Sequence, residues 1–78
     1  MLGRQERFES GWIGLSFALR PMEIDAMVAS LQSLKEGGVG HFHFRTDDFT
    51  GAPGIADVEF SILGDGEEDN LKLEYGSD

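Results

Sequence analysis

Cysteine is absent from the 78 residues, which removes disulfide bonds and thiolate metal sites as supports for a small core. A chain this short buries only about 60–65% of its unfolded surface, so it forms at most one domain, and self-association is the usual remaining supplement. Nowhere does an apolar run approach the roughly 18 residues needed to cross a bilayer. Met1 is followed by the polar stretch Leu2-Gly3-Arg4-Gln5-Glu6-Arg7, and a cytosolic protein is expected. Bases are scarce: six Lys and Arg stand against 15 Asp and Glu, for a net charge of −9. The imbalance is local. Residues 1–46 carry five acids and five bases, whereas residues 47–78 carry ten acids and Lys72 alone. Such a field repels nucleic acid and anionic membrane and steers a basic protein toward the acidic half.

What is present alternates clearly. Residues 1–10 show no sustained periodicity and are expected to be a flexible arm, loose unless Phe8 docks, with residues 11–78 forming a single α+β domain. From Gly11, the residues Ile13, Leu15, Phe17 and Leu19 alternate with Trp12, Gly14, Ser16 and Ala18, the pattern of a strand with one apolar face. Pro21 suits the first turn of a helix, and Glu23 and Asp25 favour its positive end. Ile24, Met27, Val28, Leu31 and Leu34 then recur at steps of three and four, and Gly37-Gly38 ends the helix. A second strand at about 39–45 turns Phe42 and Phe44 inward. A third at 55–63 turns Ala56, Val58, Phe60 and Ile62 inward, and a last at 71–75 turns in Leu71, Leu73 and Tyr75. The order β-α-β-β-β predicts a two-layer α+β fold: a four-stranded, mostly antiparallel sheet with one helix on one face. The first two strands would be parallel, in sheet order 1-2-3-4 or with the first strand beside the fourth.

The chemistry concentrates in Gly40-His41-Phe42-His43-Phe44-Arg45. Strand alternation puts both histidines and Arg45 on the face opposite the phenylalanines. Inner residues must meet inner residues, so only two near registers are open. One pairs His43 with Asp57 and His41 with Glu59; the other pairs Arg45 with Asp57 and His43 with Glu59. Either sets a histidine against a carboxylate. Two histidines at i, i+2 with Glu59 or Asp57 are partial metal ligands, but without cysteine or a third histidine the set is incomplete, so neither metal nor cofactor is expected. Ser16 and Ser61 lie on ordinary strands without a strained turn, so no catalytic residues are assigned. A partner surface is expected instead, built from Trp12, His41, His43, Arg45, Asp57 and Glu59, with the aromatic and arginine character of an interface centre.

At Gly40-His41-Phe42-His43-Phe44, preceded by Leu31-Gln32-Ser33-Leu34 and followed by Asp57-Val58-Glu59-Phe60-Ser61-Ile62, the chain resembles a family of small bacterial immunity-like proteins of polymorphic toxin systems. In that family a leucine-bearing helix leads to a Gly-His-x-His-hydrophobic strand and then to an acidic-hydrophobic strand. The resemblance covers about residues 12–63 and carries over Gly40, His41, His43 and Glu59; phenylalanines stand here where the family pattern has aliphatics. It implies a non-catalytic protein that binds and neutralises a toxin, for which a basic protein partner suits the acidic half. The alternative is a self-associating interaction module, a homodimer through the same face.

Overall fold

Helix α1 spans Pro21–Glu36, where the periodicity places it. Pro21 occupies its first turn after an extended Arg20, and the Glu23 carboxylate accepts the Arg20 backbone N–H at 2.7 Å. At the other end Gly37 adopts φ 83°, the left-handed conformation that a side chain would disfavour. Its N–H reaches Leu34 O, and the Gly38 N–H reaches Ser33 O at 2.8 Å. This pair of bonds closes the helix in a Schellman motif.

The computed structural model describes residues 1–76, with α1 set between two hairpins. Strands β1 (Leu2–Arg7) and β2 (Ile13–Ala18) pair antiparallel, as do β3 (His41–Arg45) and β4 (Asp57–Ser61). The fold is α+β with one helix, but the expected four-stranded sheet is replaced by two sheets of two strands each.

Three expectations are corrected here. First, residues 1–10 are not simply an arm, because they contain β1. The signal was invisible because β1 carries no apolar alternation and joins β2 through its backbone. Phe8 does dock: a Cβ on Gly14 would stand 3.3 Å from its ring. The turn is closed by Phe8 N–H to Trp12 O at 2.9 Å and Gly11 N–H to Phe8 O at 3.0 Å. Second, β2 has no parallel pairing with β3. β2 pairs with β1 along one edge and leaves its other edge unpaired. Third, residues 71–75 form no strand. Asn70 and Leu71 take φ of 64° and 60°, which turns the chain out of the extended path, and Leu71, Leu73 and Tyr75 lie exposed.

The core shrinks accordingly. The β3–β4 ribbon meets the helix mainly through β3, so it covers only an edge of the helical stripe. Among strands, α1 packs chiefly on β3. Leu34 is buried and Met27 half-buried, while Ile24, Val28 and Leu31, expected inside, are exposed. Phe42, Phe44, Val58 and Phe60 are half-buried as the inner face of the second hairpin. Leu15 and Leu73, also expected inside, are 60% and 50% exposed, because no continuous sheet brings them under the helix.

Leu34→Ala therefore removes the one buried large apolar side chain among the described residues and should cost about 2–5 kcal/mol. Ile24→Ser, on the uncovered edge, should change the stability of the isolated chain by less than about 0.5 kcal/mol. Urea denaturation followed by circular dichroism measures both, and equal costs would mean that the stripe is covered in solution.

Candidate functional site

The second hairpin positions the polar strip. Its register pairs His41 with Ser61, Phe42 with Phe60, His43 with Glu59, Phe44 with Val58 and Arg45 with Asp57. Of the two registers left open by alternation, this is the one that sets His43 directly across from Glu59. Phe42 stacks on Phe60 with ring centroids 5.2 Å apart, and Phe44 meets Phe42 edge-on at 6.0 Å. Aromatic pairs of this kind hold a hairpin face together beyond their simple burial.

The loop between β3 and β4 supports the same register through side chains that alternation alone does not flag. Thr46 N–H continues the ladder to Ala56 O at 3.1 Å. The Thr46 hydroxyl donates to Asp48 O and accepts the Asp48 N–H. Asp48 Oδ1 in turn accepts the Thr50 N–H at 2.9 Å and the Thr50 hydroxyl at 2.6 Å. The visible signal is Thr-x-Asp-x-Thr over residues 46–50, since these short polar side chains bond to neighbouring backbone and set turns.

On the strip itself, Asp57 lies diagonal to His43 and takes its Nδ1 at 3.0 Å, while accepting Arg45 Nε at 3.1 Å. A carboxylate only accepts, so Nδ1 carries the hydrogen. The other ring nitrogen, Nε2, stands 3.4 Å from Glu59 Oε1. The His41 ring meets His43 edge-on with centroids 5.0 Å apart. His43 is half-buried, and His41, Arg45, Asp57 and Glu59 are exposed. Partial desolvation pushes the pKa of Asp57 up, but the hydrogen bonds from His43 and Arg45 and their charges outweigh it, leaving it below the ordinary 3.8. Asp48 is lowered from the same value by the Thr50 hydroxyl and backbone bonds.

Five of the six expected surface residues thus meet on one hairpin face. Trp12 does not join them. It stands on the first hairpin, 76% exposed, beside a shallow depression lined also by Ile13, Leu71, Leu73 and Tyr75. A cleft of about 320 Å³ opens between the hairpins, where Gly3 and Phe17 face Phe44, Ile55 and Val58. Alternation could not foresee it, because it arises where the single sheet divides. Among the described residues no helix is long and apolar enough to cross a membrane. Comparison with protein-family models, curated proteins and solved structures gives no match.

Asp48 and Asp57 both have folded-state pKa values below their unfolded ones, so each stabilises the hairpin above about pH 4 and loses that contribution as pH falls through its lowered value. Acid titration monitored by the Phe60 ring resonances should show the hairpin loosening below that pH. Asp48→Asn and Asp57→Asn should each flatten the response, and an unchanged acid transition in both variants would dissociate it from these carboxylates.

Proposed function

We propose that this chain is a non-catalytic protein-binding module whose fold is completed by a basic protein partner. The observation that carries this reading is the apolar surface left uncovered: among the described residues Leu34 is the one buried large hydrophobe, while Ile24, Val28 and Leu31 on α1 and Leu15 and Phe17 on β2 stay exposed. Uncovered apolar area of this extent marks a surface that another protein covers. Trp12 and the helical stripe are the apolar anchors. His41, His43, Arg45, Asp57 and Glu59 supply a charged rim.

Charge favours the class of partner. Every acid between Asp47 and Glu74 is exposed, and Lys72 is the only base among them. Two copies of a chain with net charge −9 repel one another, whereas a basic protein is attracted and its encounter accelerated. Neutralisation of a basic toxin, the role implied by the resemblance at Gly40, His41, His43 and Glu59, fits this surface. Self-association is the second reading, favoured by the strand edges: each of the four strands has one partner and one open side, and open edges are templates for pairing with another copy.

Salt separates the two. Binding to a basic toxin-like protein, such as the product of an adjacent gene, should weaken at least tenfold between 50 and 500 mM salt by screening, and Val28→Glu on the uncovered stripe should abolish it. A homodimer should instead persist or tighten at high salt. Sedimentation equilibrium of the chain with and without that protein, at both ionic strengths, measures the outcome; a salt-resistant dimer of the chain alone would overturn the basic-partner reading.

A further inference from the structure

Asp57 accepts the hydrogen of His43 Nδ1 and leaves Nε2 facing Glu59 Oε1 at 3.4 Å. Two acceptors at that separation repel unless a cation lies between them, whether a proton or a metal ion. The spacing itself suits a metal. Donors bound at about 2.0–2.1 Å in a tetrahedron stand about 3.3 Å from one another. His41 completes a cluster: one ligand atom from each of His41, His43 and Glu59 lies within 4.8 Å of the others.

We propose that His41, His43 and Glu59 bind a divalent transition ion of the zinc class, with Asp57 as the residue that positions His43 for it. The donor set is two imidazoles and one carboxylate, which suits zinc and its first-row neighbours and disfavours calcium and magnesium, whose ligands are oxygens. Three protein donors leave a further position for water or for a side chain from outside. The contact of Asp57 with His43 Nδ1 is the outer support that metal-bound histidines generally have, fixing tautomer and ring orientation. Arg45, bound to the same Asp57 oxygen, holds that carboxylate in place and limits its freedom to turn and compete for the ion. Spacing along the chain names these residues as partial ligands but does not choose Glu59 over Asp57. That choice requires the register that puts Glu59 opposite His43, with His41 on the same face two residues away.

The proposal concerns the chain alone and goes beyond its association with a partner. Zinc is titrated calorimetrically into the metal-free full chain, and cobalt(II) is titrated with its visible absorption recorded. Equimolar uptake is expected, with shifts of the ring nitrogens of both histidines by NMR and weakening on acidification, since imidazole must be neutral to ligate. His41→Ala and the nearly isosteric Glu59→Gln should abolish the uptake, with the β3–β4 amide spectrum confirming that each variant keeps the hairpin. Asp57→Asn should retain equimolar binding, weakened about 10- to 100-fold as for other outer supports of metal-bound histidine. Magnesium at millimolar concentration should not compete. The proposal is overturned if millimolar zinc leaves the ring nitrogens unmoved, so that a proton alone bridges His43 and Glu59. It is equally overturned if the His41→Ala/His43→Ala double variant takes up zinc as the wild type does.

Discussion

The antiparallel pairing of β3 with β4 is the constraint on which most of the structure depends. It sets Phe42 over Phe60 on one face and His43 across from Glu59 on the other. Because side chains alternate with a period of two, these consequences cannot be separated: a slip of one residue would turn phenylalanines outward and histidines inward. A slip of two would preserve the faces but move Glu59 from His43 to His41. The Thr46, Asp48 and Thr50 bonds in the connecting loop hold the chain against that second change, since they lead directly into the Thr46–Ala56 rung.

A second constraint is width. A helix with an apolar stripe requires a broad surface, and a two-stranded ribbon provides a narrow one. The result is an α1 anchored through Leu34 and Met27 with the other edge of its stripe uncovered. The first hairpin fails to extend the surface because β2 spends one edge on β1 and does not pair with β3. The chain thus combines locally well-specified elements with weak packing between them. That combination suits a protein whose ordering is completed on association, where burial of the remaining apolar area offsets the entropy of fixing the parts.

Charge and chemistry are distributed over the same two regions. The acidic excess lies on exposed loops and on β4, and two of these acids, Asp48 and Asp57, also hold the hairpin through the hydrogen bonds they accept. The hairpin strip is denser: Arg45, Asp57, His43 and Glu59 form one chain of contacts, so removing any of them changes what the others face. Asp57 is the hinge of this arrangement. Its two partners draw it toward the ionised form against partial desolvation, and its hydrogen bond decides which His43 nitrogen is left to act.

The sequence by itself determined the helix and the faces of the strands nearest it. Pro21 and Gly37 mark the ends of α1, and the alternation of Phe42, Phe44, Val58 and Phe60 with His43, Arg45, Asp57 and Glu59 is local and periodic, so short-range sterics and backbone geometry suffice to read it. The site was legible as a set of residues on β3 and β4 but not as a geometry, because two registers satisfied the same alternation. Tertiary structure decided between them and separated Trp12 from the strip. It also made β1 from residues without periodicity, left residues 71–75 outside any strand, and divided one expected sheet into two. Those outcomes depend on which backbone edges meet across space, and the hydrogen-bonding groups on those edges are the same for nearly every residue, so side-chain pattern carries almost no record of them.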